Sequence, residues 1–503
     1  MAKATQEAAT VSGRGVARPV AALLLAGTLL AGCQSLIEQT YEPTVSPSSN
    51  PQIVDEVQKN DPRAQMGARE HPRIVASYGG EYKDAKTERL VARITGALTA
   101  VSENPNQSYR ITILNSPAIN AFALPGGYLY VTRGLLALAN DTSEIASVLA
   151  HEIAHVTAQH AVERAEKEAE SALVNQVVSQ VLKDPARGAA VSAGSKLSLA
   201  RFSRQQELTA DQISVRNISR AGYDPYGAGR FLATLGRNTA FRSSGQNQSA
   251  DDKRLDILSS HPQTPERIAA VTAAARQIGA PGIGERDANR WLSAIEGLAY
   301  GDDPRDGVVR GRRYLNSALR IGFSGPEGFS LEAAQDMVIG VSANGAQALR
   351  FDSVTLKSGQ TLESYVAAGW IEGVETTGIE KIEIAGQPAI RAHGRGTDWT
   401  FRLAAVQIGD RVYRFILAAR GGSDPERQMR SIVDSFRVMT PAEAQAVRPM
   451  QIRLVAAEAG DTIASMAERM PEQDRPGELF QLLNGLDRNA ALTPGQRYKV
   501  VAE

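Results

Sequence analysis

Residues 149–161 read LAHEIAHVTAQHA, with histidines at 151, 155 and 160 and a glutamate at 152. On a helix, residues four apart share a face, with roughly 5–6 Å between Cβ atoms. His151 and His155 can therefore present two imidazoles to one metal ion. Glu152 lies about 100° round the helix from His151, beside the metal rather than on it. From there its carboxylate can take a proton from a metal-activated water and return it to a leaving amine. This is the HExxH arrangement of zinc hydrolysis. Taken alone, the five residues also fit two hydrogen-bonded helical histidines.

Zinc needs a third protein ligand. Cys33 is the only cysteine, so a thiolate site is excluded, as is an intramolecular disulfide. A site of the H-E-x-x-H-x-x-G-x-x-H kind would place glycine at 158 and histidine at 161, where Ala158 and Ala161 stand. Without that glycine turn the helix is expected to continue. It would carry His160 more than a turn past His155, as a buried, hydrogen-bonded residue rather than a ligand. Glu207, in SRQQELTAD, lies on a separate helical stretch with Asp211 one turn on. Asp211 could accept the spare N–H of a ligating histidine and orient its ring. On residue types alone, Glu207 and Asp211 read equally well as a surface pair. His261, in the Pro-flanked turn SSHPQTPERI, could reach an open metal position, stabilise an oxyanion, or simply hold the turn. Arg201 and Arg204 read as helix-surface charge, with an oxyanion role as the alternative.

HExxH followed about fifty residues later by ExxxD resembles family 48 of the metallopeptidases, which includes the CAAX prenyl proteases. NAFALPGGYLYVTRGLL (120–136) and SSHPQTPERI (259–268) match it as well, and the resemblance covers roughly residues 62–275. It implies zinc held by His151, His155 and Glu207, with Glu152 as catalytic base. It also implies a substrate edge strand at Asn120, Ala121 and Phe122, to which a peptide adds main chain to main chain.

The elements that must position these residues alternate along 62–280. RLVARITGALTAVS (89–102) has helical period, whereas YRITILNS (109–116) and GYLYVTRG (127–134) alternate as strands. A long helical stretch is expected over 142–182, capped by Asp141, Thr142 or Ser143, and another over 200–222, closed by Gly222. Over 281–445 short alternating runs such as TFRLAAVQIG and RVYRFILAAR predict a mostly antiparallel sheet with a closing helix. That region resembles PsbP-like sheet domains in pattern only. His393, between Arg391 and Arg395, reads as an exposed strand residue. Residues 449–503, with Gly460-Asp461-Thr462, Asn484-Gly485-Leu486 and Pro494-Gly495-Gln496, resemble a LysM module of βααβ order. The resemblance implies binding of peptidoglycan-type glycan; a cap used for packing is the other reading. The expected fold class is thus multidomain α+β: a mainly helical zincin-like peptidase domain, an α+β sheet domain and a small βααβ unit.

The 503 residues are too many for one ordinary core, and 43% hydrophobic with 22% charged residues is globular composition. Lys plus Arg equals Asp plus Glu, so a nucleic-acid partner is not expected. Residues 1–32 carry early basic residues and then PVAALLLAGTLLAG before Cys33, too short to span a bilayer. This resembles a lipoprotein signal with lipidation at Cys33 and a Pro/Ser-rich tether over 33–61. Gln34 after the cysteine favours the outer membrane, facing the periplasm. The combined expectation is a lipid-anchored zinc endopeptidase for unfolded or stalled envelope proteins, acting in quality control. The alternatives are a weakly proteolytic chaperone or scaffold at the cell wall and a peptidase of peptidoglycan cross-links. The periplasmic proteases it resembles carry a C-terminal helical repeat domain, which a sheet domain and the LysM-like unit replace here.

Overall fold

The computed structural model describes residues 62–164, 202–244, 257–334, 337–369, 371, 374–420, 425–470 and 475–503. The signal segment, Cys33, the tether and Arg201 lie outside them. Among the described residues no helix is long and apolar enough to cross a membrane.

The HExxH helix, Thr142–Thr157, is the centre of the first core. Asp141 caps it by accepting the Glu144 N–H, and every residue from Thr142 to His155 is buried. A helix buried all round needs neighbours on every side. They are helix Ala85–Ala100, helix Arg204–Arg220, helix Gly227–Ser244 and strand Ala121–Leu124. Leu90, Val91, Ile94 and Leu98 line the inner face of the first of these, at the i, i+3, i+4 spacing that makes an apolar stripe. Ser203 and Gln206 start the Arg204–Arg220 helix with a capping box. Gly227 opens the next helix hard against Ser143, where a Cβ would lie 2.6 Å from the Ser143 carbonyl oxygen. Only glycine permits that approach.

A three-stranded sheet lies beside the helix. Strand Tyr128–Thr132 is central, parallel to Arg110–Leu114 and antiparallel to Ala121–Leu124, which is an edge. Helix Ile257–Ser260 and helix Pro265–Ile278 close the far side; Thr264 caps the latter and Pro265 occupies its first turn, where no N–H is required.

Two boundaries differ from the sequence expectation. The long helix is broken after Thr157: Gln159 takes φ 56°, in the left-handed region, and helical residues resume at 160–164, while 165–182 of the expected stretch lie outside the described residues. The first core also does not stop at 280. Helix Ala288–Ile295 buries Trp291 completely in it, because its apolar positions all fall on one face. The division at 280/281 thus cuts through a packed unit.

Seven antiparallel strands form the next sheet, in the order 375–384, 387–395, 399–408, 411–420, 347–355, 337–342 and 329–334. Helix Glu426–Ser435 covers one face over Phe351 and Phe415, and helix Leu362–Ala367 covers the other over Ile390 and Leu403. His393 is exposed on this sheet, paired in register with Thr377. The C-terminal unit runs strand Met450–Ala456, helix Ile463–Ala467, helix Pro476–Asn484, strand Arg497–Ala502, with the strands antiparallel. Strand Ala299–Tyr300 adds to its sheet, and Ile452, Phe480, Leu483 and Val500 belong to the same core as the HExxH helix.

Candidate metal centre

One turn of helix brings His151 and His155 to the same side, and their Nε2 atoms stand 3.0 Å apart. Glu207, from the Arg204–Arg220 helix, places Oε1 3.4 Å from His155 Nε2 and Oε2 3.6 Å from His151 Nε2. His261, from the turn after Ile257–Ser260, puts Nδ1 2.9 Å from Glu207 Oε1 and 3.4 Å from His151 Nε2. All four side chains are buried, and their ligand atoms lie within 4.8 Å of one another. A tetrahedral zinc with bonds of about 2.0–2.1 Å sets its ligand atoms roughly 3.4 Å apart. The four residues fit that ion. Converging nitrogen lone pairs and a carboxylate in a buried space also call for a cation.

Glu152 is buried beside this group, and its Oε1 makes no hydrogen bond to any described residue. His261 Nε2 lies 3.8 Å from it. Burial raises the Glu152 carboxyl above its ordinary value, which suits a group that must both accept and return a proton. Burial would also raise Glu207, but the hydrogen bonds from His151, His155 and His261 outweigh it and hold Glu207 well below the carboxylate range. In His151 burial opposes charge, yet the Asp211 and Glu207 carboxylates raise it to about 10. Burial drives His155 the other way, well below its ordinary value.

Around the four lies a ring of supporting contacts. Asp211 Oδ1 is 3.0 Å from His151 Nδ1, the nitrogen facing away from the cluster. Two contacts here escape a reading by spacing. Arg267 is buried and donates Nε and Nη2 to the two oxygens of Asp211, at 2.7 and 2.8 Å. Its Nη1 reaches Glu207 Oε2 at 2.6 Å and the Pro262 carbonyl at 3.1 Å. No sequence signal marks it, since the need for a cation appears only once Glu207 and Asp211 are known to be buried. His160, carried back by the turn at Gln159, sets Nδ1 2.9 Å from His155 Nδ1. It faces the outer nitrogen of a cluster histidine and lies outside the four-residue group.

Asn120 sits at the head of the edge strand, buried, its N–H donating to Thr132 Oγ1 and its Nδ2 to Tyr78 Oη. Ala121 pairs with Val131 and Phe122 with Tyr130; Phe122 stacks on the Tyr130 ring at 4.8 Å. The strand's other edge pairs with no described strand. Arg204 is exposed and ion-paired with Glu266, away from the cluster. A small apolar pocket of about 40 Å³ opens beside His151 and Glu152, walled by Val148, Phe231, Leu232 and Leu235.

Comparison with known proteins agrees with this geometry. Residues 84–275 match the model of peptidase family M48. Mitochondrial metalloendopeptidase OMA1 of Schizosaccharomyces pombe is 28% identical over 200 residues, 39% of this chain and 56% of its own length. A beta-barrel assembly-enhancing protease of Yersinia pestis is 26% identical over 277 residues, 52% of this chain and 54% of its own. The chain thus spans about half the length of these curated relatives. Among solved structures, cyanobacterial PsbP of Synechocystis sp. PCC 6803 aligns at 14% identity and a TM-score of 0.21, covering 27% of this chain and 98% of its own.

Proposed function

We propose that the chain, whose residues 84–275 match the model of peptidase family M48, is a zinc-dependent endopeptidase of the bacterial envelope. The observation that carries the proposal is the convergence of His151, His155, Glu207 and His261, with Glu152, whose Oε1 makes no hydrogen bond to any described residue, beside them.

When bound, zinc supplies Lewis acidity toward water and toward a peptide carbonyl. His151, His155 and Glu207 hold it. Glu152, whose proton affinity burial raises, would take the proton of the attacking water and deliver it to the leaving amine. Asp211 and His160 fix the rings of His151 and His155 through their outer nitrogens. Arg267 balances the two carboxylates that would otherwise repel each other. The free edge of Ala121–Leu124 receives the substrate as an added strand, so recognition is by main chain and tolerates many sequences. His261 would be a fourth ligand, which a substrate or water would have to replace.

Main-chain recognition suits extended, unfolded polypeptides, which supports quality control of envelope proteins as the role. The leader resembling a lipoprotein signal supports export and anchoring through Cys33. The C-terminal unit shares the peptidase core, which supports the packing reading of its LysM-like fold over that of a free glycan-binding arm.

The test is metal content and casein cleavage of residues 34–503, beside Glu152→Gln and Glu207→Ala. One zinc per chain is expected in wild type and Glu152→Gln, with cleavage only in wild type and zinc lost from Glu207→Ala. A chain that binds no zinc would overturn the site and leave a scaffold role.

A further inference from the structure

Lys499 lies on the last strand of the C-terminal unit, where alternation with Tyr498 and Val500 would suggest a solvent-facing residue. It is completely buried instead. Its Nζ donates to three consecutive carbonyls, Ala137 at 2.8 Å, Leu138 at 3.3 Å and Ala139 at 2.8 Å. These carbonyls end helix Arg133–Leu138, and Ala139 is its C-cap. The last carbonyls of a helix have no partners within it and lie at the negative end of its dipole, so an ammonium there is doubly favoured. Trp291, also completely buried, donates Nε1 to the same Ala139 oxygen at 2.8 Å. Two residues later Asp141 caps the HExxH helix.

The backbone of Lys499 is tied as firmly as its side chain. Its N–H donates to Asn484 Oδ1, and its carbonyl accepts from Asn484 Nδ2. Arg475 donates to the Phe241 carbonyl at 2.7 Å and stacks on that ring. Gly485 takes φ 63° at the end of helix Pro476–Asn484, where a Cβ would stand 3.3 Å from Asn140 Nδ2. The face of the C-terminal unit that carries Lys499 is therefore occupied by the peptidase fold.

From this we infer that the C-terminal unit is the closing part of the peptidase, and that Lys499, with Trp291, is a positioning residue for the HExxH helix. Both lie beyond the residues matched by the family model. They act through the turn Ala139–Asp141, which sets where the HExxH helix begins and hence where His151, Glu152 and His155 stand. The inference rests on the zinc site proposed above.

The experiment compares full-length wild type with Lys499→Met and Trp291→Phe, which keep apolar bulk and remove three hydrogen bonds and one respectively. Three quantities are read: zinc release to a chromogenic chelator, hydrogen exchange of residues 139–157 against residues 399–420, and kcat and KM on casein-derived peptides. Each variant is expected to release zinc at least about tenfold faster, as for loss of other ligand-orienting contacts. Exchange should rise in 139–157 and stay unchanged in 399–420, with kcat lowered and KM unchanged. Wild-type zinc release and exchange in both variants would overturn the inference. So would exchange that rises equally in both segments, since that is lost stability and not lost positioning. Should Lys499→Met fail to fold, Trp291→Phe decides alone. Should wild type bind zinc and cleave nothing, the peptidase reading falls, while zinc release and exchange still decide this one.

Discussion

Arg267 grips Asp211 with two parallel hydrogen bonds, Nε to Oδ2 at 2.7 Å and Nη2 to Oδ1 at 2.8 Å, while Asp211 faces His151 Nδ1. The fork fits a carboxylate as a lysine cannot. A third nitrogen of the same side chain reaches Glu207. Arg267→Lys is expected to keep the fold and weaken zinc binding by about 10–100-fold, measured by chelator competition. Arg267→Ala leaves two buried carboxylates without their cation and is expected to cost about 3–5 kcal/mol in denaturant unfolding. Wild-type zinc affinity in Arg267→Lys would show that charge alone, without the fork, is sufficient.

His160 acts on the zinc site only through His155, with Nδ1 atoms 2.9 Å apart. His160→Ala should therefore retain zinc stoichiometry at saturating metal and lose about tenfold or more in affinity. Titration with zinc against a competing chelator reads this directly. Complete loss of zinc at saturation would make His160 a ligand and overturn its supporting role.

His261→Ala separates gating from folding. The four-residue group retains three members, so zinc should stay bound while the position His261 would fill becomes open to water. Casein cleavage is expected to change by more than threefold in either direction, an order-of-magnitude threshold for loss or release of one metal position, with unfolding temperature little altered. Equal falls in cleavage and thermal stability would reduce His261 to a structural turn residue.

Glu144 supplies a pH dependence away from the metal. Burial, with the Asp141 charge adding, raises its carboxyl from 4.5 to about 7. Between those values the folded chain keeps a proton that the unfolded chain has lost. The resulting stabilisation is present in full below about 4.5 and is lost as pH rises through about 7. Lys499, pulled down to about 7 by burial, exerts its own effect only above that window. Glu144→Gln should flatten the stability profile between pH 4.5 and 7, read by thermal unfolding of wild type and variant side by side. A wild-type slope unchanged in Glu144→Gln would assign the pH dependence to another group.

The sequence alone determined what depends on short-range geometry. A four-residue interval on a helix places His151 and His155 on one side and Glu152 at their flank wherever the helix lies. A cap at Asp141, Thr142 or Ser143, of which the structure uses Asp141, the turn at Gly222, and the antiparallel run from 375 to 420 follow from equally local rules. Glu207 was legible only by resemblance, because residue types alone cannot tell a buried acid on a helix from an exposed one. Tertiary structure decided the rest. His160 comes back to His155 because the chain turns at Gln159, a non-glycine residue with φ 56° that no composition signal marks. Arg267 is inside because two acids from another helix neutralise it. Trp291 and Lys499 join the peptidase core from far along the chain because the open carbonyls of one helix end need donors. Charge pairing and carbonyl satisfaction are properties of which segments meet, and only the folded chain brings those segments together.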